Sequence, residues 1–457
     1  MSHPIPSSIF RAYDIRGIYN DTLTDEWAHL IGRSIGSEVL AQGQNRIALA
    51  RDGRLSGPAL TQALADGIRA TGCDVVFVGM VPTPALYFAT HHFDDLNSGV
   101  MLTGSHNPGN YNGFKIVIDG VTLSGDRIQD LYQRIIAEDL VEGQGNEEER
   151  EILAAYQRAF LAVHSLAKPL KVVVDCGNGI AGVQAPQVLA ALGCEVVPLF
   201  AEVDGTFPNH HPDPGDLKNV QDLMAKVAEE KADLGLAFDG DGDRVGVVTP
   251  AGRLVYPDIL LMALAEDMVK RHPGAKVIFD VKCTGALFDV IREAGGEPEM
   301  WQTGHSLIKA RMKETAALLA GEMSGHIFFA EDWYGFDDAL VASARILGIL
   351  SRQDIDADAF FAGFPVLCTT PEITLKVTDE NKFDIVAWLQ NKAELGEGQR
   401  CVIDGIRMDY ENGWGLCRAS NTSPKLVTRY EATDEVALAE IRQRFEVAIS
   451  KAIEAAG

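Results

Sequence analysis

The sequence predicts an α/β fold of three related domains with mixed, mainly parallel sheets, followed by a C-terminal α+β domain. Three observations lead to this prediction. The chain has 457 residues, more than a single hydrophobic core usually serves. A strand–turn–helix–strand pattern occurs three times in the first three quarters of the chain, and the last quarter lacks it. We therefore predict domains at 1–150, 151–253, 254–365 and 366–457.

In each repeat, a short apolar strand ends at an aspartate, and an amphipathic helix that stops at glycine leads to a second strand. The opening strands cover 46–50, 171–174 and 276–279, and they end at Asp52, Asp175 and Asp280. Helices that cross over in this way join parallel strands and cover both faces of the sheet. The pattern therefore predicts three domains built on βαβ units.

The last quarter has a different pattern. It predicts strands at 373–377, 401–409, 414–419 and 426–430, a helix over 381–395, and a long helix from Asp434. Antiparallel strands with helices but without βαβ spacing are typical of an α+β domain. We interpret the acidic run at 147–151 as the solvated start of a helix.

The composition excludes several classes of function. Lys and Arg total 40 against 65 Asp and Glu, a formal charge of −25, which disfavours nucleic acid and anionic membranes as partners. A phosphorylated ligand would therefore need a local cluster of Arg, Lys and backbone donors. The seven cysteines show no C-x-x-C spacing, and no apolar run approaches the ~20 residues of a membrane helix. These features predict a cytoplasmic protein.

The first candidate site is the loop from Thr103 to Pro108, which follows an apolar strand at 99–102. Its serine, Ser105, stands between a glycine and an Asn-Pro step, a setting that predicts a tight, exposed turn. Such a turn presents a hydroxyl for covalent chemistry. The alternative is an ordinary turn serine.

The second candidate site is a run of three aspartates separated by glycines, directly after an apolar strand at 234–238. Asp239, Asp241 and Asp243 can fold around one cation because glycine permits the dihedral angles of a tight loop. Oxygen ligands favour Mg²⁺ or Ca²⁺, and the residues that follow do not match a calcium-binding EF-hand. The alternative is a solvated acidic turn.

Two further loops carry the polar groups that a sugar phosphate needs. The loop at 321–326 offers Glu322 and Ser324, a carboxylate and a hydroxyl suited to neighbouring sugar hydroxyls; the alternative is a polar turn. The loop at 418–425 begins with Arg418 and is rich in side-chain donors, so it predicts a phosphate cradle. The alternative is an exposed hairpin loop.

Two other motifs compete with these candidates. The segment 32–36 matches the G-x-S-x-G hydrolase pattern, but it lies inside a helix pattern at 26–40, so we interpret it as helix packing. The segment 177–182 matches G-x-G-x-x-G after a strand, with Glu202 about twenty residues on, which favours a dinucleotide-binding oxidoreductase. However, it occupies the same place in its repeat as 52–57 and 280–285, so we interpret it as a shared strand-to-helix turn and keep the oxidoreductase as the alternative.

Together and in this order, the four loops resemble those of the α-D-phosphohexomutase superfamily, and in particular its bacterial phosphomannomutase/phosphoglucomutase branch. The resemblance covers essentially the whole chain, including 10–17 and 111–115. It implies four domains around a central cleft, each contributing one loop. The phosphoglucosamine mutase branch usually has Gln at the place of Met323 and Gly-Thr-Glu at 421–423, and these departures favour mannose and glucose phosphates as substrates.

The resemblance also implies residue roles. Ser105 would be the phosphorylated residue, and Asp239, Asp241 and Asp243, together with Ser105, would hold one Mg²⁺ per chain. The sugar and its distal phosphate would be bound by two loops: Glu322, Met323, Ser324, Gly325 and His326; and Arg418, Ala419, Ser420, Asn421 and Thr422. Other cleft residues would be Tyr13, Arg16, Lys115, Arg244, Lys282 and His305, with Arg16, Lys115 and His326 as catalytic candidates.

The implied reaction moves a phosphoryl group between O1 and O6 of a hexose through a 1,6-bisphosphate, so glucose 1,6-bisphosphate would act as intermediate and activator. The expected partners are hexose phosphates, with no nucleic acid and no membrane, and the expected state is a monomer or weak dimer. The alternatives are a phosphoglucosamine mutase, a nucleotide-cofactor oxidoreductase and a non-catalytic sugar-phosphate-binding protein.

Overall fold

The structure, a computed structural model, describes residues 5–421 and 423–456. Its first sheet has seven strands in the order β1-β5-β4-β2-β3-β7, with β6 paired to β5. The elements of this part are β1 Ile15–Ile18, α1 Asp25–Ala41, β2 Arg46–Arg51, α2 Gly57–Arg69, β3 Asp74–Met80, α3 Thr83–His92, β4 Gly99–Leu102, β5 Tyr111–Ile118, β6 Val121–Thr122, α4 Asp126–Ile136 and β7 Glu147–Glu149.

The second sheet has the order β12-β11-β10-β8-β9, and the third has the order β14-β13-β15-β16. The second part contains α5 Leu153–Val163, β8 Lys171–Asp175, α6 Ala185–Leu192, β9 Glu195–Leu199, α7 Gln221–Glu230, β10 Leu234–Phe238, β11 Val245–Val248 and β12 Leu254–Val255. The third contains α8 Pro257–Arg271, β13 Lys276–Asp280, α9 Ala286–Glu293, β14 Glu297–Trp301, α10 His305–Thr315, β15 Leu319–Gly321, β16 Ile327–Phe329, α11 Ala339–Ser351 and α12 Ala357–Phe361.

The fourth sheet is antiparallel, in the order β17-β22-β21-β20-β19, with β18 paired to β22. Its elements are β17 Cys368–Thr369, β18 Ile373–Lys376, α13 Lys382–Lys392, β19 Gln399–Cys401, β20 Ile406–Tyr410, β21 Gly413–Ala419, β22 Lys425–Ala432 and α14 Glu435–Ala456. Three mixed, mainly parallel sheets followed by an antiparallel one confirm the predicted fold class. The exact domain boundaries stay a prediction.

The three α/β repeats share one arrangement of strands. The opening strand of each repeat (β2, β8 or β13) has a parallel neighbour on either side, and the second of these neighbours is followed by an antiparallel strand. The loops at 103–110, 239–244 and 322–326 each join that last pair, β4 to β5, β10 to β11 and β15 to β16. The three candidate loops therefore occupy equivalent positions in the three repeats.

Packing explains the glycines of the G-x-S-x-G segment. A side chain at Gly32 would overlap the backbone carbonyl of Leu64 on α2, and one at Gly36 would lie 2.5 Å from Thr71 Oγ1. The two glycines thus let α1 approach α2 closely, which confirms the helix-packing interpretation.

Two predictions about single elements were wrong. The acidic run forms the edge strand β7, which pairs with Val75–Phe77 of β3, and the next helix begins only at Leu153. Arg69 and Arg150 pair with Glu147 and Glu148, so the charges favour an exposed sheet edge. The strand predicted at 401–409 is a hairpin of β19 and β20, because Gly405 at φ 77° permits a turn between them.

One hydrophobic core continues through the first three domains and includes Ala48, Val172 and Val277 from the three opening strands. The fourth domain packs α13 and α14 on its own sheet in a separate core. Arg407 on β20 connects the two bodies by donating to the carbonyls of Val281 and Cys283 at 2.7 and 3.0 Å. Within residues 5–421 and 423–456, no helix is long and apolar enough to cross a membrane.

Candidate active site

Ser105 lies in the loop between β4 and β5, in a left-handed conformation with φ 50°. This conformation costs a non-glycine residue about 1–2 kcal/mol, so the surroundings must hold it. Its N–H donates to Thr103 Oγ1 at 2.8 Å, and its hydroxyl donates to Asp239 Oδ2 at 3.1 Å. The prediction of an exposed turn was wrong: Ser105 is buried, because Gly240 of the aspartate loop lies directly on its carbonyl oxygen.

The three aspartates of the loop after β10 are fully buried, and one carboxylate oxygen of each lies within 4.8 Å of the others. Asp239 Oδ1 accepts the backbone N–H groups of Gly242, Asp243 and Arg244 at 3.0, 3.1 and 3.2 Å. Asp241 Oδ2 accepts from the Thr83 hydroxyl at 2.6 Å. Glycine at φ 76° in the middle of the loop, Gly242, allows the chain to turn this tightly.

This carboxylate cluster fits a cation. Among the residues that the structure describes, Asp241 Oδ1 and Asp243 Oδ1 are buried without a hydrogen-bond partner. Burial and the charges of the two neighbouring aspartates raise the pKa of Asp239 well above its usual value. A buried carboxylate needs a compensating charge, and an oxygen-rich cluster is suited to a hard divalent ion.

Lys115 on β5 provides positive charge beside this cluster. Its ammonium group donates to Asp241 Oδ2 at 2.7 Å and also to Asp243. Burial alone would lower the pKa of this amine, but the two carboxylates outweigh it and raise the pKa well above the usual value. Lys115 is therefore held as a cation. Burial also opposes ionisation of Asp241, and Lys115 overcomes it, so the pKa of Asp241 is lowered.

His326 lies close to the aspartates, at the end of the loop at 321–326, the sugar-loop candidate. Arg244 Nε donates to its Nε2 at 2.9 Å, and its Nδ1 is 3.5 Å from Asp243 Oδ1. On its other side, Nδ1 is 2.9 Å from Asp337 Oδ2, and Lys309 Nζ donates to Asp337 Oδ1 at 3.0 Å. Since Nε2 accepts from Arg244, a neutral ring carries its proton on Nδ1, facing Asp337.

The sugar-loop candidate is anchored through its carboxylate. Glu322 is buried, and its Oε1 accepts the Gly304 N–H at 2.5 Å, while burial raises the pKa of the acid. Met323 and Ser324 are half-buried, and Gly325 turns the loop at φ 98°.

Two more predicted residues border the same region. His305 begins α10, and its ring lies 5.7 Å from that of His326. Lys282 Nζ donates to Glu372 Oε1 at 2.7 Å.

The loop at 418–425, the phosphate-loop candidate, begins at the end of β21. Arg418 is buried, and its Nε donates to Asp404 Oδ2 at 2.9 Å, while its Nη2 has no hydrogen-bond partner in the described part of the chain. Ala419 ends the strand, and the Ser420 hydroxyl lies 3.0 Å from that of Ser423. The prediction for Thr422 falls outside the described residues.

Domain I reaches across the cleft to this loop through its N-terminal segment. The Tyr13 hydroxyl donates to the Thr303 carbonyl at 2.6 Å and accepts from the Asn421 amide. Burial raises the pKa of Tyr13 to about 12, so the phenol keeps its proton. Arg16, on β1, pairs with Asp14. Contacts between domains thus connect the first three loops, Ser105 with Asp239 and Arg244 with His326, and connect the fourth loop to the N-terminal segment, Asn421 with Tyr13.

Asp337 and Asp404 were missed by sequence reasoning. Asp337 precedes Asp338, which accepts the N–H groups of Leu340 and Val341 and so caps α11, and the pair has the pattern of a helix start. Asp404 stands in a hairpin turn that the sequence pattern placed inside a strand. The sequence shows an aspartate at each of these two places. It does not show that Asp337 pairs with His326 or that Asp404 pairs with Arg418.

The G-x-G-x-x-G turn at 177–182 donates its backbone N–H groups to carbonyls of the protein itself. The backbone N–H groups of Asn178, Gly179 and Ile180 donate to the carbonyls of Phe200, Cys176 and Gly240 at 2.8, 2.7 and 3.1 Å. A nucleotide phosphate would need these donors free. The turn instead supports the aspartate loop, in agreement with the shared-turn interpretation.

Comparison with known proteins gives the family. Models of the four phosphoglucomutase/phosphomannomutase domains match residues 7–142, 153–252, 256–365 and 372–447. A phosphomannomutase/phosphoglucomutase of Pseudomonas aeruginosa is 58% identical over 96% of this chain and 95% of its own, and a phosphoglucomutase of Neisseria meningitidis is 49% identical over 97% of both. The crystal structure of a family protein from Burkholderia thailandensis superposes with a TM-score of 0.94, at 49% identity over 99% of both chains. The chain therefore belongs to the phosphoglucomutase/phosphomannomutase family of the α-D-phosphohexomutase superfamily.

Proposed function

We propose that the protein interconverts the 1-phosphate and 6-phosphate forms of mannose and glucose through a phosphoserine at Ser105. The observation that carries this proposal is the contact of the Ser105 hydroxyl with Asp239, 3.1 Å away, inside a cluster of three buried carboxylates. A hydroxyl in that place is within reach of a cation that would neutralise a phosphoryl group. The proposed domains, 1–150, 151–253, 254–365 and 366–457, each contribute one loop to the cleft.

Asp239, Asp241 and Asp243, with Ser105, would hold one Mg²⁺. When bound, this ion neutralises the charge that develops on the transferred phosphoryl group. Lys115 adds a fixed positive charge beside the same carboxylates, and Arg16 on the neighbouring strand β1 is the second cationic group of this end of the cleft.

The reaction begins with the phosphoryl group on Ser105 and a hexose monophosphate in the cleft. The free sugar hydroxyl attacks phosphorus, the bond from phosphorus to Ser105 Oγ breaks, and a 1,6-bisphosphate forms. The bisphosphate turns end over end, and its other phosphoryl group passes to Ser105. Added glucose 1,6-bisphosphate would replace any intermediate that escapes and so act as activator.

His326 Nε2 is the group best placed to take the proton of the attacking hydroxyl. The contact of Nδ1 with Asp337 favours the ring form that has its proton on Nδ1 and a lone pair on Nε2. Arg244 Nε donates to this lone pair until the sugar hydroxyl takes the place of Arg244 as the donor. The imidazolium that forms would be stabilised by Asp337.

The second half of the cleft binds whichever phosphate is not being transferred. Arg418 is anchored to Asp404 through Nε, which leaves its Nη2 for an anion. Ala419, Ser420, Asn421 and Thr422 would complete this cradle. Glu322 and Ser324 would hold the 3- and 4-hydroxyls in both orientations, with Met323, Gly325, His305, Lys282 and Tyr13 lining the sugar.

The test is a mutase assay on mannose 1-phosphate, glucose 1-phosphate and glucosamine 1-phosphate, with a trace of glucose 1,6-bisphosphate. We expect similar kcat/KM for the first two sugars, which differ only in the orientation of the 2-hydroxyl, and a value at least about tenfold lower for the third, because its charged 2-ammonium group would have to lose water in the cleft. A preference for glucosamine 1-phosphate would make the protein a phosphoglucosamine mutase. The cytoplasmic location and the monomeric or weakly dimeric state stay predictions.

A further inference from the structure

Arg54 lies in the first strand-to-helix turn, and neither the proposed reaction nor the ligand-binding loops use it. Its side chain is fully buried, so it reaches neither solvent nor substrate. Burying a guanidinium is unfavourable unless its donors are all satisfied and its charge is paired. Arg54 meets both requirements in one place, the phosphoserine loop.

All five N–H donors of the guanidinium are used. Nε donates to Asp52 Oδ2 at 3.1 Å. Nη2 donates to the carbonyls of Ser105 and Asn107 at 2.7 and 2.6 Å. Nη1 donates to the carbonyls of Pro108 and Tyr111 at 2.5 and 2.9 Å. Three carbonyls of the Ser105 loop and the carbonyl of the first residue of β5 thus converge on one side chain.

Asp52 fixes the same loop from its other side. Its Oδ2 accepts from the Thr103 hydroxyl at 2.8 Å and from the Gly104 N–H at 3.3 Å, and its Oδ1 accepts the Arg54 N–H at 3.0 Å. The Thr103 hydroxyl in turn accepts the Ser105 N–H at 2.8 Å. Ser105 is therefore held at its N–H through Asp52 and Thr103, and at its carbonyl through Arg54.

The position of Arg54 explains why the residue before Ser105 is a glycine. A Cβ atom at Gly104 would lie 2.6 Å from Arg54 Nε and 2.7 Å from Nη1, so any other residue would displace the guanidinium. On the far side, Arg54 lies 5.2 Å from the centre of the Phe207 ring in the second domain. The guanidinium is enclosed between the loop that it binds and the neighbouring domain.

The three repeats show that this is a special feature of the first. Asp52, Asp175 and Asp280 each accept the N–H two residues further on, at 3.0, 2.9 and 3.1 Å. The residues at that position are Arg54, Gly177 and Lys282, and in the first repeat alone an arginine binds the functional loop of its own domain. In the first repeat, the strand-to-helix turn that all three repeats share also binds the Ser105 loop.

We propose that Arg54, paired with Asp52, is the positioning residue that holds the Ser105 loop in its left-handed, reactive conformation. This inference rests on the proposed phosphoserine mechanism. Arg54 acts on the chemical step through Ser105 and leaves the sugar and distal-phosphate contacts unchanged. The geometry of its planar fork is needed, so a lysine of equal charge cannot replace it.

The test compares Arg54→Lys with the wild-type protein in steady-state assays on glucose 1-phosphate. We expect kcat to fall at least about 100-fold, since a displacement of about 1 Å in a reacting group costs that much, and KM to stay within about threefold. The phosphoryl content of Ser105 after incubation with glucose 1,6-bisphosphate, measured by intact mass, should rise correspondingly more slowly.

Arg345→Lys is the matched control. Arg345 is also largely buried, pairs with Glu331 and donates to the Glu331 carbonyl at 2.7 Å, but it lies on α11 away from the four loops. This variant should lose stability and keep kcat. An equal loss of kcat in both variants, a wild-type kcat in Arg54→Lys, or a change in KM alone would overturn the inference.

Asp52→Asn serves if Arg54→Lys does not fold. One of its side-chain positions becomes a donor that faces another donor, so we expect a smaller loss of kcat, by about tenfold, again at unchanged KM. A wild-type kcat in folded Asp52→Asn would overturn the inference. No turnover in the wild-type protein itself would instead contradict the proposed function, and the inference would fall with it.

Discussion

The aspartate loop at 239–244 and the loop at 418–425 both hold buried polar atoms that lack a hydrogen-bond partner among the described residues, but these atoms are of opposite charge. In the aspartate loop they are carboxylate oxygens, Asp241 Oδ1 and Asp243 Oδ1. In the described part of the loop at 418–425 the atom without a partner is a guanidinium nitrogen, Arg418 Nη2. A cation fits the first and an anion fits the second.

The two ends also differ in how they are supported. Ser105, Lys115 and the three aspartates bond to one another across two domains. Arg418 is anchored to Asp404 through Nε, its Nη2 has no hydrogen-bond partner among the described residues, and its neighbour Asn421 is half-buried. The end assigned to phosphoryl transfer is pre-organised within the protein, and the end assigned to binding offers groups to a ligand. A mutase that binds its intermediate in two orientations needs this division.

The cation end should fail completely without its ion. Treatment with EDTA should reduce turnover to less than about one hundredth, and Mg²⁺ should restore it. Isothermal titration should detect one Mg²⁺ per chain, bound far more weakly by Asp241→Asn.

Asp267→Asn is the control for this experiment, since Asp267 forms a surface ion pair with Arg271. It should bind Mg²⁺ like the wild-type protein. Turnover that survives thorough chelation would contradict the assignment of the carboxylate cluster.

The contact between His326 and Asp337 should matter for transfer and not for binding. Asp337→Asn removes the carboxylate beside Nδ1, so we expect kcat to fall about 100-fold, the scale of a lost proton-transfer group, with KM unchanged. The measurement is steady-state kinetics on both sugar phosphates.

The next residue gives the control. Asp338 is equally buried, but it bonds to Tyr156 and to the start of α11. Asp338→Asn should keep its kcat. Equal losses in the two variants would mean that Asp337 is merely structural.

The anion end should respond in KM. Arg418→Ala loses a charge-assisted contact, and KM for glucose 1-phosphate and mannose 1-phosphate should rise by similar factors of about 10 to 100. The variant should also depend more on added glucose 1,6-bisphosphate, because the intermediate escapes more often. Arg442→Ala, on the exposed face of α14, should change nothing. A KM change for one sugar alone would make this loop a sugar reader.

The smallest effect concerns stability. Burial raises the pKa of Asp338 to about 7 from its usual value near 4. The folded protein then binds a proton that the unfolded chain has lost, so this group stabilises at low pH, and its contribution is lost as pH rises from about 4 to 7. The free energy of unfolding should fall by up to about 1 kcal/mol per pH unit more steeply in the wild-type protein than in Asp338→Asn. Parallel denaturation curves across this range would contradict the assignment.

Much of this division could be predicted from the sequence, because the four loops are short, rich in glycine and polar residues, and follow apolar strands. The partners of these loops could not. Arg54 contacts a residue that is 51 positions away in the chain, Asp337 one that is 11 positions away, and Asp404 one that is 14 positions away. No periodic pattern marks such pairs. The burial of Ser105 was mispredicted for a related reason: its cover, Gly240, belongs to another domain.

The edge strand β7 shows the same limit in the fold. Three consecutive glutamates favour solvent in any conformation, and only the free edge of β3 determines that they form a strand. Local pattern indicates where the chain turns, and tertiary contacts decide what each turn faces.

In the proposed reaction, Ser105 carries the phosphoryl group in transit. The direct measurement is incubation with glucose 1,6-bisphosphate bearing radiolabelled phosphate, followed by peptide mapping and a chase with unlabelled glucose 1-phosphate. We predict about one label per chain, on Ser105, that passes to the sugar during the chase, and no label and less than about one thousandth of the turnover in Ser105→Ala. Label on another residue, or full mutase activity in Ser105→Ala, would contradict the account.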